Sequence, residues 1–147
     1  MTIRSWEFVD LIKITDFHKE NFIDAWSYAQ LASSFLRENF KGFLIEKDGE
    51  IVATVCYDLS IEDGDILSIV VKKEERKKGL ATLLIEKVFN EVQKIELKAL
   101  FLEVRVSNMP AIKTYEKAGF IKIAERKNYY PDKETAIVMK KEFSYSY

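Results

Sequence analysis

The segment around Gly79 has the charge and the small residues of an anion-binding loop. Residues 72–78 contain five cations against two anions, a surplus of three positive charges, and Gly79 and Ala81 follow them. The sequence predicts that a helix begins here, and small side chains would let an anion reach the free N–H groups of its first turn. A diphosphate would suit this loop. A solvated basic loop that starts a helix is the alternative, and the glycine patterns of dinucleotide-binding and P-loop motifs are absent from the sequence.

The elements on either side of this loop can be predicted from apolar spacing. Residues 66–71 form an apolar run that predicts a strand leading into the loop. After Gly79 the apolar residues recur every three or four positions, as in a helix with one buried stripe. These residues are Leu80, Leu84, Val88, Val92 and Ile95.

The first part of the chain predicts a strand followed by a helical region. The strand lies within residues 3–14, and Thr15 or Asp16 would cap the helical region over 17–38. That region is too long for one ordinary helix, so we expect two short helices with a break near Trp26-Ser27.

Two further turns and the second half complete the pattern. Asp48-Gly49 between apolar runs predicts a hairpin, and Asp63-Gly64 predicts the next turn. Strands are expected over 100–106, 120–124 and 135–140, with a short helix over 110–118. The order β-α-α-β-β-β-α-β-α-β-β predicts an α+β (α/β) fold, with a mixed, mostly antiparallel sheet of about six to seven strands and about four flanking helices.

Composition excludes several classes of protein. The 147 residues carry 23 Lys+Arg against 24 Asp+Glu, and 48% of them are hydrophobic, which predicts one folded domain over 1–147. The balanced charge disfavours a nucleic-acid partner, as does the lack of aromatic residues among the cations of 72–78. A single Cys56 and a single His18 predict no disulfide framework and no metal site. No membrane span or signal peptide is predicted, so the expected location is the cytoplasm.

The basic loop resembles a known motif. Residues 76–81, Arg-Lys-Lys-Gly-Leu-Ala, are similar to the Arg/Gln-x-x-Gly-x-Gly/Ala signature of the GNAT superfamily of acetyl-CoA-dependent N-acetyltransferases. The resemblance runs from about residue 66 to about residue 140 and is thin before residue 60. It continues through Leu-Glu-Val-Arg at 102–105, Ser107-Asn108, Ala111-Ile112, Tyr115-Glu116 and Gly119-Phe120.

One branch of the family is most similar. Asn-Tyr-Tyr-Pro at 128–131, residues 134–139 and Trp26-Ser27 resemble the branch that acetylates protein N-termini, including those of ribosomal proteins. Thr135 stands where that branch usually has aspartate. The resemblance implies a GNAT-like fold, acetyl-CoA as cosubstrate, no metal, and an amine acceptor that is the N-terminus of a protein. It also leaves open a homodimer.

The resemblance implies the following residues for acetyl-CoA: Ile69, Val70, Val71, Arg76, Lys77, Lys78, Gly79, Leu80, Ala81, Thr82 and Asn108. In this fold the strand before the loop parts from its neighbour, pairs with the pantetheine arm and offers a backbone N–H to the reacting oxygen. On the residues alone, Ile69, Val70 and Val71 are equally core residues of a plain strand. Asn108 is equally a turn or cap residue.

The implied reaction needs a neutral amine. An α-amino group has a pKa of about 7.7–8.0 and a lysine about 10.4, so roughly a tenth of the former and well under a thousandth of the latter is neutral at pH 7. A protein N-terminus is therefore the easier acceptor. The resemblance implies Glu103 as proton acceptor, through water or with a raised pKa. The alternative is a surface glutamate paired with Arg105 on the same strand face.

The remaining implied roles involve aromatic residues. Tyr115 would protonate the departing thiolate, or would be an ordinary tyrosine buried by its ring. Trp26, Tyr129 and Tyr130 would form an aromatic mouth for a peptide end, or would simply pack. We interpret His18 as a helix-surface residue and Cys56 as a core residue, both structural.

Two other functions remain open at this point. A GNAT enzyme could act on a small-molecule amine such as a polyamine, an aminoglycoside or an amino acid. A non-catalytic acyl-CoA-binding regulatory module would bind CoA and turn over no amine.

Overall fold

A seven-stranded sheet runs through residues 1–146, the part of the chain that the computed structural model describes. The strands are β1 (Thr2–Ser5), β2 (Phe40–Lys47), β3 (Glu50–Leu59), β4 (Asp63–Val71), β5 (Ala99–Arg105), β6 (Ile121–Arg126) and β7 (Ala136–Glu142). The helices are α1 (Leu11–Asn21), α2 (Tyr28–Phe35), α3 (Leu80–Lys94) and α4 (Met109–Lys117). Short 3-10 turns span Phe8–Asp10 and Lys73–Glu75. The predicted order of elements is confirmed.

The sheet is mixed, as predicted. Its strand order is β1-β2-β3-β4-β5-β7-β6. Strands β4 and β5 pair in parallel, and the other neighbours pair antiparallel. The chain leaves β4, passes through α3 and returns as β5, which is the crossover that parallel neighbours require.

Local sequence explains the clearest elements. Asp48 and Gly49 adopt φ values of 54° and 78°, the pair of positive angles that a two-residue type I′ hairpin needs. The apolar stripe of α3 is buried from Leu80 through Leu84 and Val88 to Val92, as its spacing predicts. Ile95, the last predicted member, follows the helix end at Lys94 and is exposed, so that part of the prediction was wrong. The break between the first two helices is also confirmed, because α1 ends at Asn21 and Ser27 caps α2.

The two faces of the sheet carry separate apolar clusters. Helix α3 packs on one face with residues from β2 to β7, and Phe43, Leu84, Leu100 and Phe120 are among its buried members. Helices α1 and α2 pack on the other face over β2 and β3. This second cluster consists of Trp6, Leu11, Ile14, Leu31, Phe40, Leu44 and Cys56. The helices therefore leave the second face uncovered toward β5, β7 and β6.

The start of the first helix was predicted wrongly. Helix α1 begins at Leu11, and neither Thr15 nor Asp16 caps it, since the Thr15 hydroxyl donates to the Leu11 carbonyl inside the helix at 2.8 Å. The 3-10 turn Phe8–Asp10 leads directly into α1, and the Asp10 carboxylate closes that turn by accepting from the Glu7 N–H at 2.7 Å. The apolar residues before position 17 follow helical spacing once this start is known.

Two other expectations also need correction. The turn before β4 lies at residues 60–63, where Ser60 N donates to the Asp63 carbonyl at 2.8 Å, so Gly64 already pairs within the sheet. His18 is buried rather than on a helix surface, and only 4% of it is exposed. Its Nε2 lies 2.7 Å from Thr54 Oγ1 on β3, which gives the imidazole a polar partner between the layers.

Burial of His18 predicts a pH-dependent stability. Burial lowers the pKa of His18 from 6.5 to about 4, so the unfolded chain binds the proton more tightly than the folded chain. The free energy of unfolding is therefore not reduced by His18 above pH 6.5. It falls by about 3 kcal/mol as the pH drops from 6.5 toward 4. Urea unfolding of the wild type and of His18→Gln should show that the variant loses less stability over this range. Parallel pH profiles for the two proteins would contradict this explanation.

Candidate active site

The β4 and β5 strands separate after a short stretch of pairing. Their register runs from Asp63 opposite Ala99 to Ile66 opposite Leu102 and then ends, although both strands continue. The β3–β4 ladder passes from Ile66 to Ser68 and skips Leu67, which forms a bulge at the same point. A bulge bends its strand, so it accounts for the parting. We call the gap between residues 67–71 and 103–105 the β4–β5 opening.

The opening presents unpaired backbone groups of β4. Because N–H and C=O groups alternate sides along a strand, every second residue from 67 to 71 directs them away from β3 and into the opening. Val70 is buried, and Ile69 and Val71 pack against the main core. The side chains of these three predicted residues are therefore packed inside the protein, and only the backbone groups of Ile69 and Val71 face the opening, where the Val71 carbonyl already accepts from Arg76.

The start of α3 is open toward a ligand. Gly79 has φ +83°, a conformation that favours glycine, and a Cβ placed on it would meet nothing within 4 Å. No side chain caps this end, whereas α2 and α4 each begin with a capping side chain. The first N–H groups of α3, from Leu80 to Thr82, thus remain free for an anion. Leu80 itself is buried, Ala81 is half-buried and Thr82 is exposed.

Ion pairs use part of the charge in the basic loop. Glu75 binds Lys78 at 3.1 Å and Lys47 at 3.3 Å, and these contacts lower its pKa. Lys77 is exposed and takes a positive φ of 65° beside the open helix end. The loop therefore keeps a cation next to the free N–H groups.

Arg76 links the loop to the first helix. Its Nε donates to the Val71 carbonyl at 3.2 Å, and its Nη2 donates to the Asn21 carbonyl at 2.9 Å. Asn21 also accepts from the Lys73 N–H through its side chain at 3.1 Å. The guanidinium thus fixes the loop against the end of α1. Whether Arg76 also binds the cofactor stays a prediction.

Glu103 lies on the uncovered face of β5, beside the opening. Its Oε2 is 3.4 Å from Arg126 Nε on β6, and 32% of its side chain is exposed. Arg105 makes its ion pairs with other carboxylates, so the alternative of a Glu103–Arg105 pair is not the arrangement found. A partly solvated carboxylate at this position can exchange a proton with water or with a bound amine.

Tyr129 and Tyr130 stand next to Glu103 in the loop between β6 and β7. Their rings are 5.1 Å apart and nearly perpendicular. Burial and then the Glu103 charge raise the pKa of Tyr129. Burial raises the pKa of Tyr130 to about 12, and the charges of Asp24 and Glu103 add to the shift. The Glu103 charge therefore acts on both tyrosine hydroxyls.

Tyr115 lies on α4 and is partly buried against the apolar cluster on the α3 face. Its ring packs edge-on against Phe120 at 6.1 Å, as expected for a tyrosine buried by its ring. Burial raises the pKa of Tyr115 to about 12, and the charge of Tyr130 adds to the shift. Tyr115 is thus protonated at neutral pH and can act as a proton donor, and its role beside Glu103 stays a prediction.

Asn108 and Trp26 have structural contacts of their own. Asn108 Oδ1 accepts from the Ala111 N–H at 3.3 Å and caps α4. The interpretation of Asn108 as a helix-cap residue is therefore confirmed. Its side-chain nitrogen is not used by that bond, and cofactor binding by Asn108 stays a prediction. Trp26 is half-buried against the second core cluster, in the loop between α1 and α2.

Sequence reasoning did not identify the ion-pair partners of Glu103 and Arg105. These four charged residues are Asp24, Arg126, Asp132 and Glu134. Asp24 binds Arg105 across a separation of 81 residues, which no local pattern can show. Arg126 was missed because the predicted strand over 120–124 ended too early, whereas β6 runs to Arg126. Glu125 and Arg126 are both charged, so no apolar alternation in the sequence could have extended the predicted strand.

Other chemistry has little support in the described residues. Within residues 1–146, no group of three or more His, Cys, Asp or Glu side chains is arranged to hold a metal ion. None of the helices in that part of the chain is long and apolar enough to cross a membrane. Burial raises the pKa of Cys56 to about 12, so its thiol is unsuited to act as a nucleophile at neutral pH.

Comparison with known proteins gives a consistent result. The sequence pattern of the acetyltransferase (GNAT) family matches residues 6–120. The ribosomal protein bS18-alanine N-acetyltransferase of Escherichia coli K12 is 31% identical over 141 residues, which cover 94% of this chain and 95% of that protein. An N-alpha-acetyltransferase of Saccharolobus solfataricus is 42% identical over 80 residues, covering 54% of this chain and 48% of that protein.

Structural similarity extends over nearly the whole chain. The crystal structure of the ribosomal-protein-S18-alanine N-acetyltransferase from Escherichia coli superposes with a TM-score of 0.92 at 31% identity. The match covers 99% of this chain and 96% of that one.

The open end of α3 predicts a specific effect of a methyl group. Gly79→Ala should weaken CoA binding by about tenfold or more, because the new Cβ fills the approach to the free N–H groups and the backbone must shift. Gly49→Ala is the matched control, since Gly49 has φ +78° and equally open surroundings but lies in the β2–β3 hairpin. Both variants should lose about 1 kcal/mol of stability. Calorimetric titration with CoA would contradict the assignment if both variants bound CoA as the wild type does.

Proposed function

The chain belongs to the acetyltransferase (GNAT) family, and on that premise we propose that it transfers acetyl from acetyl-CoA to the N-terminal α-amino group of a protein. The proposal is supported above all by the parting of β4 from β5 next to the open start of α3, with Glu103 on β5 at the edge of the opening. Glu103 is then a proton acceptor beside the place where the parted strands can receive a ligand, and Tyr115 on α4 is the predicted proton donor.

The choice of acceptor rests on relatives and on amine chemistry. The similar Escherichia coli protein is named for the alanine of ribosomal protein bS18. A protein N-terminus is also the more reactive amine at neutral pH, because a larger fraction of it is unprotonated. We therefore take a ribosomal protein that begins with a small residue as the first acceptor to test.

The residues present fit acetyl-CoA. The free N–H groups at the start of α3 would hold its diphosphate, and the unpaired edge of β4 would bind its pantetheine arm. The cosubstrate supplies an acetyl group activated as a thioester. An N–H of residues 69–71 can donate to the acetyl oxygen and stabilise charge that develops there.

Glu103 and Tyr115 would move the protons. An incoming ammonium must lose a proton before it can attack, and the partly exposed Glu103 carboxylate can accept that proton directly or through water. Tyr115 keeps its proton at neutral pH, because burial raises its pKa to about 12. It can therefore donate a hydrogen bond to the sulfur as that atom leaves and share its proton with the thiolate that forms.

An aromatic mouth would receive the end of the peptide. Tyr129 and Tyr130 border Glu103 from the β6–β7 loop. Trp26 lies in the α1–α2 loop, which is connected to the same region through Asp24 and Arg105. We call these two loops, residues 22–27 and 127–135, the acceptor mouth.

The test uses peptides and matched glutamate variants. The wild type with acetyl-CoA should acetylate the free N-terminus of an alanine-starting peptide but not the lysines of the same peptide with a blocked N-terminus, as read by mass spectrometry. Glu103→Gln should lower kcat by about 100-fold, the usual contribution of a general base, and should leave CoA binding unchanged. Glu86→Gln, an exposed glutamate on α3, should behave as the wild type.

Two results would contradict the proposal. If polyamines or other small amines are acetylated while peptides are not, the acceptor is a small-molecule amine and not a protein N-terminus. Tight CoA binding without turnover of any amine would favour a regulatory module.

A further inference from the structure

Arg105 joins the two loops of the acceptor mouth. Its guanidinium binds Asp24 of the α1–α2 loop through two hydrogen bonds, Nε to Oδ2 at 3.0 Å and Nη2 to Oδ1 at 2.8 Å. Its Nη1 binds Asp132 Oδ2 at 2.8 Å and Glu134 Oε1 at 2.9 Å in the β6–β7 loop. One side chain from the end of β5 thus connects segments that are far apart in the sequence.

The surroundings of Arg105 favour a rigid arrangement. Only 12% of its side chain is exposed, and its guanidinium lies 4.1 Å from the centre of the Tyr130 ring. A planar guanidinium that binds a carboxylate through two parallel hydrogen bonds fixes orientation as well as distance. Tyr130 is therefore held on the same group that holds Asp24.

The β6–β7 loop depends on these contacts. Glu134 Oε2 also accepts from the Ser107 N–H at 3.0 Å, and Asp132 Oδ1 accepts from the Glu134 N–H at 3.0 Å. Asn128 and Lys133 adopt positive φ values of 54° and 72°, which side-chain-bearing residues take at a cost in free energy. Without Arg105, three carboxylates would lose their shared cation, and the loop would keep only its own hydrogen bonds and the Glu134–Ser107 contact, with nothing to tie it to Asp24.

We infer that Arg105 is a positioning residue, which sets the spacing between the two loops of the acceptor mouth and so the affinity for the acceptor peptide. It acts through Asp24 and Tyr130 and does not contact the reacting atoms. The inference rests on the proposed function for its kinetic effect, while its structural effect can be measured without any acceptor.

Arg4 provides a matched control within the chain. It binds both oxygens of Asp10 at 2.8 Å and also binds Glu46, so it is likewise an arginine that joins separate segments through carboxylates. It lies on β1, at the opposite edge of the sheet from β7 and β6. A purely structural role for Arg105 would make the two arginines equivalent.

The experiment compares Arg105→Lys with Arg4→Lys. Lysine keeps the charge but loses the two-point geometry. In Arg105→Lys the KM for the acceptor peptide should rise about tenfold or more, with the KM for acetyl-CoA within about twofold of wild type. In Arg4→Lys both constants should stay at the wild-type level, although its melting temperature falls.

Hydrogen–deuterium exchange tests the same inference without acceptor. Backbone amides of residues 22–27 and 127–135 should exchange faster in Arg105→Lys than in the wild type. In Arg4→Lys their exchange rates should equal those of the wild type. Asp24→Asn keeps the arginine and serves as a second variant if Arg105→Lys does not fold. Its acceptor KM should rise likewise, and the double variant should be no worse than the more impaired single variant.

Several results would overturn the inference. One is that Arg105→Lys leaves the exchange rates of both loops unchanged. Another is that Arg105→Lys raises the KM for the peptide and the KM for acetyl-CoA equally. The third is that the Asp24 and Arg105 substitutions have additive effects on the acceptor KM. If the wild type acetylates no peptide, the proposed function fails instead, and the exchange experiment alone decides whether Arg105 holds the loops.

Discussion

The parting of β4 from β5 is the constraint on which the rest of the site depends. Pairing stops after Ile66 and Leu102, where the Leu67 bulge turns β4 away. Backbone N–H and C=O groups that leave a strand pair can bond another partner, so the continuing edge of β4 is available to a ligand with polar groups along its length. The same strand leads into the basic loop and the open start of α3, so one feature of the sheet aligns both parts of the predicted acetyl-CoA site.

Two arginines connect this opening to the rest of the site. Arg76 fixes the basic loop to Asn21 at the end of α1. Arg105 fixes Asp24, three residues later, to the β6–β7 loop. The α1–α2 loop is thus held on one side by the predicted cofactor loop and on the other by the acceptor mouth. Both arginines use hydrogen-bond acceptors distant in sequence, which makes the site a property of the fold rather than of one motif.

Sequence alone predicted the features that local physics controls. The positive φ angles of Asp48 and Gly49, the buried stripe of α3 and the glycine at its start follow from turn chemistry and periodicity. The burial of His18 and the ion pairs of Arg105 were missed, because they depend on partners that only the folded sheet brings near. Glu103 and Tyr115 were identified by resemblance to a family, since a charged strand residue and a helical tyrosine carry no local signal of catalysis.

A crystal structure of the chain with bound CoA would show whether the parted strands hold the cosubstrate. We expect the diphosphate over the N–H groups of residues 80–82 and the pantetheine arm hydrogen-bonded along residues 67–71, with the sulfur between β4 and β5. CoA bound elsewhere on the chain would contradict this arrangement, and so would pairing of β4 with β5 along their full length.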